Sequence, residues 1–400
     1  MMTDIDVFVS GGGISGLVAT LAFEKLGCSV LCVDPTPPPQ SRLDKGADLR
    51  TTAFLQPSQL FLDKLGLWDA LVQEAMPLEI MRIIDAGGAG DTPAIRVSKD
   101  FVAKDISELP FGWNVPNWFS RKTLEAAIAK STNATFRPGL QTERLFTREN
   151  EARITLSDGS RYRAKLVIGA DGRESFIRRS AGIGTYTKRF AQKAMAFAVT
   201  HPIPHDNVST EIHRSGGPFT LVPLPDYDGQ PSSAVVWMET ARKAAELMGL
   251  SETEFEKEMT ARSCHVLGPL SLATRRSLWP MLSQLSKQFV AQRVALVAEA
   301  AHVIPPIGAQ GLNMSLGDIE VLSDLAAQAE DIGAADLLHR YEKKRMPDLK
   351  LRVAGVSALN MTSMSGHPFS HDLRAKGIEA LHQIAPVRKS LMRLGLGMRS

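Results

Sequence analysis

Cysteine is scarce in this chain: 400 residues hold three, Cys28, Cys32 and Cys264. Cys28 and Cys32 flank an apolar run at 29–33, with no second pair to complete a metal site. They read as reduced core thiols, which excludes a disulfide framework and a zinc centre. Charge of one sign is also scarce. Lys and Arg number 46 against 43 Asp and Glu, a net charge of +3, so no electrostatic footprint for nucleic acid is present. Long hydrophobic runs are missing. The longest stretch without a formal charge, 300–317, contains Pro305, Pro306, Gly308, Gly311 and Asn313, a composition no lipid-facing helix tolerates. Residues 1–6 carry two acids and no basic segment, so no targeting peptide is expected. Neither G-x-S-x-G nor H-E-x-x-H occurs, which removes the common hydrolase signatures. No internal repeat interrupts the chain. What remains, 44% apolar and 22% charged residues over this length, is globular and calls for two domains, possibly interleaved in sequence.

The informative features begin at once. Residues 6–10 (DVFVS) read as a short buried strand, and Gly11-Gly12-Gly13-Ile14-Ser15-Gly16 follows as G-x-G-x-x-G. Leu17, Leu21, Ala22 and Leu26 then have helical spacing, and 29–33 forms a second strand closed by Asp34. In such a unit the first glycine permits the tight turn and the second lets the backbone approach a pyrophosphate. The third lets helix and strand pack closely. The helix N-terminus offers free N–H groups and a positive dipole end to phosphate, and an acid about 20 residues on accepts from ribose hydroxyls. Strand, glycines, helix, strand and acid together mark a dinucleotide site on a doubly wound α/β domain. The motif by itself does not separate FAD from NAD.

Two later segments extend the pattern. Residues 166–170 (LVIGA) form a buried strand closed by Asp171-Gly172, with Arg173, Ser175, Arg178 and Arg179 at a helix start. Residues 294–298 are strand-like, Glu299 stands at their end, and Pro305 to Gly311 leads into a helix marked by Leu312, Leu316, Ile319, Leu322 and Ala326. A small-residue loop feeding a helix N-terminus aims N–H groups at an anion.

Together these three motifs resemble the para-hydroxybenzoate-hydroxylase-type (class A) flavoprotein monooxygenases. Within that class the last motif and the C-terminus are most similar to the ubiquinone-biosynthesis hydroxylases. The matching blocks run from Val9 to Asp318, and Arg345-Met346-Pro347 resembles the helix that follows in the family. The resemblance implies an FAD-binding domain with a Rossmann-like fold interleaved with a smaller antiparallel-sheet substrate domain. It implies that Gly11, Gly13, Ile14, Ser15 and Gly16 hold the FAD pyrophosphate and Asp34 the adenosine ribose. Arg50 and Arg121 match the family's two arginines near the cofactor. Asp171 and Gly172 match the Asp-Gly motif, which touches FAD and is implicated in NAD(P)H use. Pro306, Gly308, Gln310, Gly311, Leu312 and Asn313 match the loop beside the isoalloxazine, whose reduced form carries negative charge. One departure stands out. The family has Gly-Asp before Ala-Ala-His, whereas this chain has Ala298-Glu299. Glutamate keeps the acceptor one methylene further out, and alanine adds a methyl where backbone packs closely, which leaves two expectations: FAD binding that survives with a small shift, or weaker FAD retention.

The implied division assigns 1–78, 120–190 and 288–350 to the FAD domain, 79–119 and 191–287 to a β-rich substrate domain, and 351–400 to a C-terminal helical segment. Strands are expected at 195–200, 217–223 and 233–239. Pro223 and Trp237 are candidates to line the substrate cavity. His302 reads as structural, while His213 and His265 fall in the substrate domain with the chemistry to take a phenol proton. No catalytic residue is assigned and no metal is expected, because the flavin carries the difficult chemistry and the protein positions it. Residues 374–400 hold Arg374, Lys376, Arg388, Lys389, Arg393 and Arg399 against Glu379 alone, interleaved with leucines. They read either as a basic amphipathic segment for an anionic membrane or as a packed helix with a solvated charged face. The resulting expectation is an FAD-dependent ring hydroxylase using O2 and electrons from NAD(P)H or a ferredoxin-type donor. Its substrate would be a polyprenylated phenol, its location the cytoplasm at the inner membrane's periphery, within reach of a ubiquinone-biosynthesis complex. The alternatives are a monooxygenase of a small soluble aromatic acid and a non-catalytic flavin-binding subunit.

Overall fold

Strand Met2–Ser10 has parallel neighbours on both sides, which is why Val7, Phe8 and Val9 are wholly buried and read as an unbroken apolar run. In this computed structural model, which describes residues 2–44, 47–86, 95–214, 216–364, 379 and 382–397, five parallel strands stand side by side. Their order is Ala134–Pro138, Val30–Asp34, Met2–Ser10, Arg161–Gly169 and Val294–Leu296. The chain therefore winds outward from the first strand in one direction, then returns to wind in the other. The switch falls between Met2–Ser10 and Arg161–Gly169, the place where open α/β sheets bind ligands at their C-terminal ends. Helix Ile14–Glu24 returns across the sheet and buries Leu17, Val18 and Phe23 completely. Each such side chain contributes about 1.5–3 kcal/mol relative to exposure.

A second sheet of nine described strands is mostly antiparallel. Its order runs through Ser277–Ser286, Thr185–Thr200, Gln230–Thr240, Pro218–Tyr227, Val208–His213, Ile80–Asp85 and Val97–Val102. The strands expected at 195–200 and 233–239 are thus parts of longer ones, and the one expected at 217–223 begins at Pro218 and runs on to Tyr227. Its two faces meet different surroundings. Met195, Phe197, Phe219, Leu221, Val235 and Trp237 point toward helices Ala241–Met248 and Glu252–Arg262 and form one core with Phe255 and Met259. Ala194 and Met238, on the opposite face, pack with Phe190, Met281 and Ile307, the last from the loop before helix Gln310–Ala326.

Two expected boundaries move. Gly112–Pro116 pairs with Thr51–Leu55 and Met76–Leu78 in a separate three-stranded sheet rather than with the large one. The long helix Ala335–Met364 passes through residue 350 without a break, although Pro347 lies within it and removes one backbone donor. A final described helix spans Ala385–Leu396.

Candidate functional site

The C-terminal ends of the central strands bring the three motifs together. Ser10 stands opposite Val33 on one side and Gly169 on the other, and Gly169 stands opposite Leu296. At the first motif the chain is too tight for side chains. Gly11 has φ +111°, and a Cβ there would lie 2.2 Å from the Ala170 carbonyl oxygen. A Cβ on Gly16 would lie 1.8 Å from the Gly11 carbonyl oxygen, so helix and turn touch backbone to backbone. Gly13, in contrast, would meet nothing within 4 Å. It is the N-cap of Ile14–Glu24, no side chain caps that helix, and no acid stands in its first turn. The N–H groups of that turn therefore open onto free space with the positive end of the helix dipole behind them. This cradle, open at Gly13 and closed at Gly11 and Gly16, fits a pyrophosphate.

Asp34 and Arg121 stand at the same mouth. Asp34 Oδ2 accepts from the Gly12 N–H at 2.7 Å and Oδ1 from the Thr36 N–H at 2.7 Å. Arg121, on helix Asn117–Ile128, donates to the carbonyls of Gly12 and Thr36 at 3.1 and 3.2 Å. Next to them Asp171 accepts from the Ser175 hydroxyl and from the Ile177 N–H, the latter at 3.0 Å. Burial outweighs these bonds and pushes the Asp171 carboxyl above the ordinary range.

Arg50 is held from behind. Its Nε and Nη2 each lie 2.8 Å from an Asp48 carboxylate oxygen, and its guanidinium stacks on Trp279, 4.2 Å from the ring centroid. Asn117 donates to Asp48 at 3.0 Å and accepts from Thr52 at 2.8 Å. Burial pushes the Asp48 carboxyl up, but the Arg50 guanidinium and the Asn117 amide overcome this and hold it below its usual range. The charge of Glu299, exposed at the end of the third motif, adds to the field that keeps Arg50 protonated.

The third motif has a strained backbone. Ala298 has φ +56° and Ala309 φ +54°. The departure from the family's Gly-Asp pair therefore falls on a left-handed residue, where a Cβ costs roughly 1–2 kcal/mol. Behind it lies a buried ionic group. Asp318, with no exposed surface, accepts from His302 Nε2 at 2.7 Å and Arg345 Nε at 2.7 Å, and from the Ala298 N–H at 3.3 Å. Burial raises Asp318, yet His302 and Arg345 bring it below the ordinary value. Asn313 ties the loop to the neighbouring strand, accepting from the Leu55 N–H at 2.8 Å and donating to the Ala53 carbonyl at 2.7 Å. Pro306, Gly308 and Gly311 leave the loop exposed, while Leu312 is half-buried against the main core. Gln310 turns elsewhere: its amide donates to the Gly395 carbonyl at 2.8 Å, and its oxygen accepts from Arg352 at 2.9 Å.

The sequence candidates for the substrate side separate. Pro223 is buried at the seam between sheets, its carbonyl accepting from Asn114 Nδ2 at 2.9 Å. Trp237 is corrected: its ring packs against Phe219 and Phe255 beneath the helices, on the face turned away from the loop at Ile307. Buried strand residues alternate between faces, and the odd-numbered position 237 falls on the helix side. Asp48, Asn117, Trp279 and Arg352 were not found by sequence reasoning. Asp48 carried a faint signal, two residues before Arg50; the others come from distant segments. Cys32, wholly buried, has its thiol pushed up to about 12 by burial and stays protonated, as a core thiol should.

The same architecture occurs in known proteins. The family model described as "FAD binding domain" matches residues 4–354. Ubiquinone hydroxylase UbiL of Rhodospirillum rubrum is 32% identical over 402 residues, covering 98% of this chain and 89% of that protein. The 3-demethoxyubiquinol 3-hydroxylase of Escherichia coli is 25% identical, with 98% of each chain covered. Among solved structures, p-nitrophenol 4-monooxygenase PnpA of Pseudomonas putida superposes with a TM-score of 0.80 at 18% identity over the full length of both chains, a likeness of fold. Glycine cradle, strand order and family match agree, and the chain belongs to the FAD binding domain family as an FAD-dependent monooxygenase.

Proposed function

We propose that this enzyme hydroxylates the aromatic ring of a polyprenylated phenol in ubiquinone biosynthesis, with O2 as the oxygen source and electrons from NAD(P)H or a ferredoxin-type donor. Similarity to UbiL over almost the whole chain supports the pathway. The observation that carries the substrate class is the sheet face turned toward Ile307. On its central strands that face presents Ala194, Ala196, Ala198, Ala234, Val236 and Met238, and no charged side chain stands among them. A small aromatic acid would call for a cationic anchor there, because a buried carboxylate without one is costly. Among the described guanidinium groups near this face, Arg50 is already engaged by Asp48 and Arg352 by Asp348 and Gln310.

In this reading Gly11, Gly13, Ile14, Ser15 and Gly16 cradle the FAD pyrophosphate, Asp34 and Arg121 hold the adenosine side, and Asp171 and Gly172 close the cleft. Glu299 and the loop of Pro306, Gly308, Gly311, Leu312 and Asn313 flank the ring system. Bound FAD supplies the activation of O2 for transfer of one oxygen atom to an electron-rich ring. The protein's part is to orient the substrate on the apolar face, exclude water and place the N–H groups of helix Gln310–Ala326 near developing negative charge.

Peripheral membrane contact through 374–400 and attachment to a biosynthetic complex belong to the same proposal. Residues 374–378, 380–381 and 398–400 lie outside the described ones. Within the rest, helix Ala385–Leu396 buries Met392 and Leu396, exposes Val387, Leu391 and Leu394, and carries Arg388, Lys389 and Arg393 with no acid. None of the described helices is long and apolar enough to cross a membrane.

The test is mass spectrometry of quinone extracts from cells lacking this gene. Accumulation of a prenylated phenol short of one hydroxyl, with ubiquinone lost, is expected. Rescue by the wild type but not by an Asp34→Ala, Gly13→Val variant that fails to retain FAD distinguishes an enzyme from a scaffold. Normal ubiquinone with no such intermediate, in cells holding no second hydroxylase for the step, would overturn the assignment.

A further inference from the structure

Strand Val208–His213 alternates between the two faces of the large sheet. Ile212 is wholly buried in the core under the helices, with Phe219 and Leu221. Glu211 and His213 therefore point the other way, onto the face that carries Ala194, Val236 and Met238. His213 pairs across the sheet with Pro218, and the next residue, Phe219, pairs with Trp237, so Pro218 leads on to Met238. Two strand spacings separate His213 from Met238, roughly 10 Å, and Met238 belongs to the cluster against which Ile307 of the loop packs. A phenol ring lying on this face between them would be spanned from end to end.

The pair has a defined polarity. His213 Nε2 lies 2.7 Å from Glu211 Oε1, with both side chains largely buried. An ionised carboxylate only accepts, so in the neutral imidazole the proton sits on Nε2 and Nδ1 is left as a bare acceptor. Nδ1 is buried and has no hydrogen-bond partner among the described residues. A buried acceptor without a donor is costly, about 1–3 kcal/mol, and a bound ligand carrying an O–H removes that cost. Other charged groups are close. Asp85 stands opposite His213 in register on strand Ile80–Asp85, and Arg214 follows it directly. Arg262 donates to the Ile212 and Gly217 carbonyls at 3.1 and 2.8 Å, with Glu239 beside it on the helix side. The described ion-pair contact of the His213 ring is the one with Glu211.

We propose that His213 is the group that receives the ring hydroxyl of the substrate and that Glu211 positions it. The proton of the phenol O–H passes to Nδ1, the bonding pair stays on the phenol oxygen, and the imidazolium so formed is held by Glu211. The ring, now a phenolate, is richer in electrons at the carbons ortho and para to that oxygen. This rests on the phenolic substrate class argued above.

The probe is 4-nitrophenol, whose phenolate absorbs in the visible, added to FAD-free and FAD-loaded protein across a range of pH. Wild type should bind it with its ionisation favoured about tenfold over the free compound. His213→Gln should bind it more weakly and with the ionisation of the free compound, and Glu211→Gln should fall between. Thermal melts of both variants check folding. Unchanged ionisation in a folded His213→Gln, or in a folded Glu211→Gln if the first is unstable, overturns the inference while leaving the phenol reading intact. Failure of the wild type to bind the probe overturns both.

Discussion

Asp318 offers the sharpest test of how the loop beside the proposed flavin position is held. Its carboxylate is wholly buried and answers two cationic or potentially cationic groups, Arg345 at 2.7 Å and His302 at 2.7 Å, besides the Ala298 N–H. Asn in its place keeps the shape but not the charge, and its amide turns a donor toward one of two donors. Breaking a buried pair from one side costs about 3–5 kcal/mol, because the partner charge is stranded. Arg345 retains Asp348 at 2.9 Å and the Met314 carbonyl at 3.1 Å, so the lower end applies. Asp318→Asn is expected to lose about 3 kcal/mol of stability, a factor of roughly 150 in the folding equilibrium. Denaturant unfolding of the FAD-free protein at neutral pH measures it, with flavin fluorescence reporting release from the loaded form. The pH dependence is a second handle. The Asp318 carboxyl titrates below its ordinary value of 3.8 when folded. Its contribution is therefore complete above that value and is lost as pH falls through the lower, folded one. Wild type and variant should differ fully at neutral pH and converge only in strong acid. The double replacement Asp318→Leu with Arg345→Met should recover much of the loss, since no charge is then stranded. An Asp318→Asn variant within about 1 kcal/mol of wild type at neutral pH would refute the claim that Arg345 depends on this carboxylate.

Two further outcomes follow from the backbone. Gly16→Ala sets a Cβ 1.8 Å from the Gly11 carbonyl oxygen and should yield insoluble or FAD-free protein, whereas Gly13→Ala meets nothing within 4 Å and should fold normally while binding FAD more weakly; equal FAD titrations of Gly13→Ala and wild type would contradict the cradle. Ala298→Gly removes a left-handed Cβ at φ +56°. That relieves roughly 1–2 kcal/mol, offset by about 0.4–1 kcal/mol of added freedom in the unfolded chain, so a small rise in melting temperature is expected and a fall would count against strain at this residue.

Much of the cofactor half was legible from local pattern. Strand, G-x-G-x-x-G, helix and Asp34 lie within 34 residues, and the geometry they imply is backbone geometry, which short-range sequence specifies. The same holds for Asp171 and for the loop at 305–311. What local pattern did not carry was which side of a long strand faces the cleft. Trp237 and Met238 are adjacent and both buried, yet one lies under the helices and the other beside Ile307. A strand buried on both faces has no polar-apolar alternation to show its inward side. Nor could the sequence join Asp48 and Arg50 to Trp279, Asn313 to Ala53, or Gln310 to Gly395. Those partners are separated by up to 260 residues and meet only when the sheets close on one another. The chain by itself pointed to a dinucleotide cofactor and to the backbone turn proposed for its phosphates, because tight turns and helix ends are local. Only the tertiary structure decided that Glu211 and His213 share the apolar face and that Asp318 stands behind Ala298, because burial and facing are properties of the packed whole.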